Sequence, residues 1–108
     1  MKPRPRVRAL KLAVEVRQRL TEVLGKPVKV ILFGSQARGD AGKYSDIDLF
    51  VILPSLDDQT RYLVSDITWE VGLEAGKVIS AIPTTKERMK LYSFIPLYRN
   101  VKKEGIAV

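Results

Sequence analysis

Two aspartates and a Gly-Ser turn are the residues of this sequence whose types and spacing could do chemistry. Asp46 and Asp48 open one apolar segment, and Gly34-Ser35 directly follows another, with Ser35 eleven residues before Asp46. Side chains two apart on a strand point to the same face, so the two carboxylates lie roughly 7 Å apart along the backbone. Carboxylates suit hard divalent cations such as Mg²⁺, and free N–H groups of a turn suit phosphate. The pattern predicts metal-assisted chemistry on a nucleoside triphosphate.

Each half of this pattern also has a purely structural interpretation. Gly34 could be only a permissive turn residue, and Asp48 could lie on the solvent face of an edge strand. Two like charges on one strand face repel each other, and aspartate is depleted in strands, so a compensating cation is the favoured interpretation. The G-x-x-x-x-G spacing of Gly34 and Gly39 does not make a P-loop, because Asp40-Ala41 follows where Lys-Ser/Thr is required. Arg38, in the same loop, is either a phosphate ligand or a surface residue, and its position favours the former.

The composition narrows the chemistry further. At 108 residues and 45% hydrophobic content, the chain is predicted to form a single globular domain over residues 1–108. It has no cysteine and no histidine, so disulfides, thiolate or histidine metal sites and histidine acid–base catalysis are excluded. Carboxylates are then the only plausible metal ligands. The lack of cysteine, of a signal peptide and of a membrane-length apolar run predicts a cytoplasmic protein.

The charge is strongly basic and concentrated at the start of the chain. The net charge is +7, from 19 Lys and Arg against 12 Asp and Glu. Prolines predict an extended basic arm at residues 1–5. The positive charge at the start of the chain has two interpretations: an arm and helix face exposed to solvent, or a surface that contacts a polyanion. A nucleic-acid-binding module is therefore a third hypothesis for function, ranked last because the chain has no recognition motif and no aromatic-rich strand.

Apolar periodicity predicts the elements that must position these residues. Residues recurring at three- and four-residue spacing predict a helix from Arg6 to Leu24, ended by Gly25 and Pro27. Loop 34–45 has space for a short helix beginning at Ser35, whose first N–H groups would face a phosphate. The other predicted elements are strands at 28–33, 46–53 and 77–82, a helix at 56–75, a short helix from 84 or 85 to 89 or 91, and one more helical turn within 94–108.

The motif resembles a known family signature. Gly34-Ser35, Arg38-Gly39 and Ser45-Asp46-Ile47-Asp48-Leu49 are similar to the signature of the nucleotidyltransferase superfamily that includes DNA polymerase beta. More closely, the chain resembles the minimal nucleotidyltransferases (the MNT family), which are often paired with a HEPN-domain protein in toxin–antitoxin modules. The run 96–106 resembles the tail of those proteins. The resemblance implies an α/β fold with a small mixed β-sheet flanked by helices.

The resemblance also implies a site for ATP and Mg²⁺. Asp46 and Asp48 would be the catalytic and metal-binding residues, and Gly34 and Ser35 would bind the triphosphate. Arg38 and Ser45, which also match the signature, would contact the nucleotide. The implied reaction transfers AMP from ATP to a hydroxyl. In the antitoxin branch, the acceptor is a tyrosine of the HEPN partner.

One position departs from the family pattern. Active members usually carry a third carboxylate on the next strand, beside the aspartate pair, whereas the predicted strand 77–82 contains no acid. Ser80 is the nearest polar residue, and a serine cannot replace a carboxylate as metal ligand or base. The site could bind one metal, borrow a group from a partner, or turn over weakly. The alternative function is thus an antitoxin that works only by binding its partner.

Overall fold

The computed structural model describes residues 4–108, and residues 1–3 of the predicted basic arm lie outside that part of the chain. Helices precede and separate the strands of one sheet. The elements are α1 (Val7–Leu24), β1 (Lys29–Phe33), α2 (Ser35–Arg38), β2 (Ile47–Ile52), α3 (Asp58–Ala75), β3 (Ile79–Thr84), α4 (Lys86–Leu91), α5 (Pro96–Glu104) and β4 (Ile106–Ala107). None of these helices is both long and apolar enough to cross a membrane.

The strands form one mixed sheet in the order β3-β2-β1-β4. β1 is antiparallel to both β2 and β4, whereas β2 and β3 are parallel. The parallel pair is connected through α3, as a crossover connection requires. This arrangement confirms the predicted α/β fold with a small mixed sheet flanked by helices.

The two faces of the sheet have different neighbours. On one face, alternate strand residues such as Leu32 and Leu49 join Val16 and Leu20 of α1 and Val71 of α3 in the apolar core. Side chains alternate along a strand, so the residues between them point to the other face. α5 packs on that second face, and its Tyr98 ring lies 5.1 Å from the Phe50 ring. Because Asp48 and Phe50 are two apart on β2, the site predicted from the sequence shares this second face with α5.

Helix ends follow the local chemistry of the sequence. Asp57 caps α3: its carboxylate accepts a hydrogen bond of 2.8 Å from the Thr60 N–H, and the Thr60 hydroxyl accepts one of 3.0 Å from the Asp57 N–H. Thr85 caps α4 by accepting from the Arg88 N–H. Such caps satisfy N–H groups that have no partner inside the helix. The cap at Thr85 also decides between the two starts, 84 and 85, that the sequence left open for the short helix.

The main differences from the predicted elements lie in the last third of the chain. β3 runs two residues later than predicted and includes Pro83, which a sheet tolerates at an edge strand. The segment 94–108 holds the nine-residue α5, not a single turn, and then the unpredicted β4. A two-residue strand has no periodicity to detect. Its pairing with Ile31 and Leu32 of β1 forms only when the chain has folded.

Candidate active site

The structure brings the Gly-Ser turn and the aspartates together at one end of the β1–β2 pair. Phe33, the last residue of β1, pairs with Asp48 of β2. Gly34 therefore follows β1 beside Asp48, and Ser35 begins α2. Asp46 lies one residue before β2 and is exposed, whereas Asp48 is half-buried within the strand. β2 thus begins one residue later than predicted, and the turn and both aspartates still lie at one end of the sheet.

Gly34 lies in close contact with the Asp48 carboxylate. A Cβ added to Gly34 would lie 2.6 Å from Asp48 Oδ2, and the glycine has a φ of +74°. Any other residue type would have to displace the Asp48 carboxylate and adopt a strained positive φ, so both observations favour glycine there. The Gly34 carbonyl accepts hydrogen bonds from the N–H groups of Ala37 and Arg38, so the same residue starts α2. The sequence predicted a turn at Gly34, but only the fold shows that the backbone of this turn lies next to the Asp48 carboxylate.

The electrostatics of the pair fit a cation. The pKa of Asp48 is raised, chiefly by burial and then by the negative charge of Asp46, and Arg38 lowers it in part. The charged form of Asp48 is therefore disfavoured in the protein alone. A hard divalent cation between these oxygen ligands would remove that penalty. The residues present therefore fit a metal such as Mg²⁺, which Asp46 and Asp48 would hold.

The third acid of the family pattern is absent from the described chain. Ser80 of β3 pairs in parallel register with Asp48, so both side chains point to the same face. Ser80 is exposed and lies beside Asp48 on the neighbouring strand, where the family resemblance implies a carboxylate. Within residues 4–108, no three His, Cys, Asp or Glu side chains form a cluster that could hold a metal ion. The protein itself thus supplies two carboxylates to this site.

Arg38 is held by two carboxylates. Its Nε lies 3.2 Å from Asp40 Oδ2, and its Nη1 lies 3.0 Å from Glu104 Oε1 at the end of α5. The hydrogen bond that Arg38 donates to Asp40 is the main reason that the pKa of Arg38 is raised. Arg38 also acts on Asp48 through its charge, so it is close to the site. Phosphate binding by Arg38, which stays a prediction, would compete with these two ion pairs.

Ser45 and Gln36 hold the loop that carries Asp46. The Ser45 hydroxyl accepts a hydrogen bond of 2.9 Å from the Gly42 N–H, so Ser45 has a turn contact in this structure, and its predicted contact with the nucleotide stays a prediction. Its carbonyl accepts one of 3.2 Å from Gln36 Nε2. Gln36 is buried, and a buried amide needs such a partner. Gln36 was not among the site residues predicted from the sequence. The only available signal was a polar residue on a four-residue helix between two strands.

The start of the chain packs on the same loop. The Arg6 N–H donates a hydrogen bond of 2.9 Å to the Gln36 carbonyl, and its guanidinium donates one of 3.1 Å to the Ala41 carbonyl. The Arg4 carbonyl lies so close to Gly39 that no Cβ would fit. Arg4 and Arg6 therefore help to close loop 34–45. This intramolecular role accounts for part of the basic cluster that the sequence left open between a solvated arm and a polyanion contact.

Comparison with known families agrees with this geometry. The model of the nucleotidyltransferase domain family matches residues 11–108, and the chain belongs to that family. The protein is thus a nucleotidyltransferase, and its resemblance to the minimal nucleotidyltransferases is confirmed.

Similar proteins carry nucleotidyl-transfer names. MJ0604, a candidate protein adenylyltransferase of Methanocaldococcus jannaschii, is 37% identical over 81 residues, which cover 75% of this chain and 77% of the relative. MJ1305, a candidate protein adenylyltransferase of the same organism, is 40% identical over 73 residues, 65% of this chain and 50% of the relative. A bifunctional uridylyltransferase/uridylyl-removing enzyme of Pseudomonas fluorescens is 29% identical over 69 residues, only 7% of its length. The shared part of that longer enzyme is therefore one short region.

Proposed function

We propose that this protein transfers AMP from ATP to a hydroxyl group of another protein. The observation that carries the proposal is the contact between the Gly34 backbone and the Asp48 carboxylate, with Asp46 beside it. A phosphate-binding turn and a carboxylate pair at one strand end suit a nucleotide together with a cation. The names of the two archaeal relatives favour AMP as the group and protein as the acceptor.

Each residue of the site has a separate task in this proposal. Asp46 and Asp48 would hold Mg²⁺ and orient the reacting phosphate, and the Gly34-Ser35 turn, with Arg38 and Ser45, would bind the nucleotide. The acceptor oxygen forms a bond to the α-phosphorus, the bond from that phosphorus to the bridging oxygen breaks, and pyrophosphate leaves. The hydroxyl proton passes to solvent. When bound, Mg²⁺ neutralises the triphosphate and stabilises the leaving pyrophosphate.

The proposed acceptor is a tyrosine of a HEPN-domain toxin, which makes the protein an antitoxin. This part is supported by the resemblance of the run from Gly34 to Leu49 and of the tail 96–106 to the minimal nucleotidyltransferases. A tyrosine hydroxyl presented by a folded partner would let a small nucleotidyltransferase modify it without a substrate domain of its own. Such modification would inactivate the toxin.

A labelling experiment tests the enzyme proposal. The protein is incubated with α-labelled ATP, Mg²⁺ and the product of the adjacent gene, and label on protein is measured. Transfer should disappear in Asp46→Asn and persist in Asp66→Asn, a matched change of an exposed aspartate on α3. Absence of labelling on any partner, combined with absence of cation-dependent ATP binding, would contradict the proposal.

A second candidate is an antitoxin that works only by binding its partner. Ser80 at the position of the third carboxylate favours this candidate, because turnover needs more from the site than binding does. It predicts that Asp46→Asn and Asp48→Asn variants still protect cells from the partner toxin. Protection that disappears together with label transfer would instead assign the antitoxin effect to catalysis.

A further inference from the structure

A second concave region lies on the same sheet face as Asp48, at the opposite end of the strands. This lysine groove has a volume of about 620 Å³ and is bounded by the sheet, α4 and α5. Lys29 and Ile52 line it and pair with each other, whereas Asp48 pairs with Phe33 at the other end of the ladder. Ile52 is four residues beyond Asp48, which separates the two regions by roughly 13 Å along β2. The groove is therefore a separate feature from the candidate active site.

The rim of the groove carries only positive charge. Four exposed lysines of β1, α4 and α5 line it: Lys29, Lys86, Lys90 and Lys102. No acidic residue of the described chain lines the groove. The ion pairs within residues 4–108 involve Arg19 and Arg38 and none of these lysines. Four like charges around one groove give it a positive potential, which attracts a negatively charged partner.

The floor of the groove is apolar and offers little to a nucleic acid base. Ile31, Ile52, Met89 and Val101 form much of it. Tyr98 also lines it, but its ring packs against Phe50 and Tyr92 and its hydroxyl lies 3.1 Å from the Thr84 hydroxyl. Single-stranded nucleic acid is usually bound by aromatic rings that are free to stack on bases. Aliphatic side chains inside a ring of lysines instead match a protein segment with apolar and acidic residues.

We propose that the lysine groove docks an acidic segment of a protein partner. Apolar side chains of the segment pack on Ile31 and Met89, which are partly exposed, and its carboxylates face the four lysines. Lysine is suited to this task because its long stem covers apolar surface while its ammonium stays in water. The opposite charges also accelerate encounter with an acidic partner. Docking needs neither nucleotide nor metal, so the proposal does not depend on the proposed reaction.

Direct binding of synthetic peptides to the full chain tests the proposal. The probe is a short fluorescent peptide that alternates leucine with glutamate, measured by fluorescence anisotropy at low ionic strength without ATP or Mg²⁺. We expect Lys90→Glu/Lys102→Glu to weaken binding by about tenfold or more, because close charge pairs become repulsive. The control Lys11→Glu/Lys103→Glu changes the net charge equally at exposed lysines outside the groove and should bind as the wild type does.

Further comparisons separate the proposal from its rivals. Peptides with glutamine for glutamate, or serine for leucine, should bind more weakly than the probe. The milder variant Lys90→Gln/Lys102→Gln repeats the test if charge reversal lowers the thermal midpoint. Asp48→Asn should bind the peptide normally, so failure of nucleotidyl transfer would leave this result unaffected. The proposal is overturned if the probe does not bind, if both double-glutamate variants lose affinity equally, or if a single-stranded oligonucleotide binds the groove more tightly than the probe.

Discussion

The two ends of one sheet face differ in how they hold charge. At the acidic end, the Gly34 backbone presses against Asp48, which is half-buried. At the basic end, the lysines of the lysine groove are exposed and make no ion pair within the described residues. Chemistry on a phosphate needs groups held in place before the reaction, whereas docking of a segment tolerates side chains that adjust. The difference fits the proposed reaction at the acidic end and the proposed docking of a flexible segment at the basic end.

One helix contacts both ends. Val101 and Lys102 of α5 line the lysine groove, and Glu104 in the last turn pairs with Arg38 near the aspartates. The C-terminal tail therefore contributes to both regions, although it carries none of the predicted carboxylates or turn residues. Variants that damage one end and spare the other test whether the two regions are functionally separate.

Asp48→Asn is expected to have the largest effect that is confined to one end of the sheet face. Loss of the carboxylate removes a proposed cation ligand and should lower nucleotidyl transfer by about 10³-fold, in the range that follows loss of an electrostatic stabiliser. Label transfer measures this loss, and peptide anisotropy should show an intact lysine groove. Transfer above a tenth of the wild-type rate would show that Asp48 is not part of the catalytic site.

Gly34→Ala tests the backbone contact at the acidic end. The added Cβ would displace the Asp48 carboxylate, so we expect transfer to fall by about 10²-fold and stability by about 1 kcal/mol. Gly76→Ala is the matched control, because Gly76 also has positive φ, +66°, but nothing within 4 Å of an added Cβ. Equal loss of transfer in both variants would assign the effect to backbone strain and not to the carboxylate. Thermal melts compare their stabilities.

Gln36→Leu tests the support of the loop. Leucine keeps the approximate volume but leaves the Ser45 carbonyl without its donor; because this bond is only partly buried, we expect a cost of about 1 kcal/mol. Asp46 should then be less well positioned, and transfer should fall by about tenfold. Gln18→Leu, on the exposed side of α1, is the control. A role in folding alone would lower the unfolding midpoint and leave the transfer rate of the folded protein unchanged.

Ser80→Asp tests the missing acid. An aspartate in register with Asp48 would complete a set of three carboxylates, and we expect a severalfold tighter binding of Mg²⁺ or Mn²⁺, with a smaller gain in transfer. Ser80→Asn has nearly the same shape without the charge and should show neither gain. Unchanged cation affinity in isothermal titration would mean that this position does not contribute to the site.

The smallest expected effect is the pH dependence of stability. The ordinary pKa of an aspartate, 3.8, applies to the unfolded state, and the pKa of Asp48 in the folded state is raised above it. Between the unfolded and the folded pKa, the folded state therefore binds more protons than the unfolded state. The stability associated with neutral Asp48 is therefore complete below 3.8 and is lost as the pH rises through the folded pKa. Thermal midpoints of the wild type and of Asp48→Asn are measured over a range of pH without divalent cation. The midpoint of the wild type minus that of the variant should fall as the pH rises. A difference that rises with pH would contradict the burial argument.

Much of the candidate site could be predicted because its residues lie close together in the sequence. Gly34 to Asp48 is one run, and its turn, short helix and strand follow local rules for glycine, capping and alternation. The position of Ser80 could also be anticipated from the strand that contains it. Gln36 could not be recognised, since its role depends on burial and on a carbonyl that only the folded loop brings to it.

The sequence by itself determined which side chains could act in a site, namely the aspartate pair and the Gly-Ser turn, and it excluded cysteine and histidine. It also determined most helices and strands. Periodicity and turn residues act over a few positions, which is why they can be recognised without a structure. Tertiary structure alone decided the pairing of β4 with β1, the contact of Gly34 with Asp48 and the pairing of Arg38 with Glu104. It also decided that Lys29, Lys86 and Lys102 share one groove. Such contacts join distant parts of the chain, and only packing of the core brings them within reach.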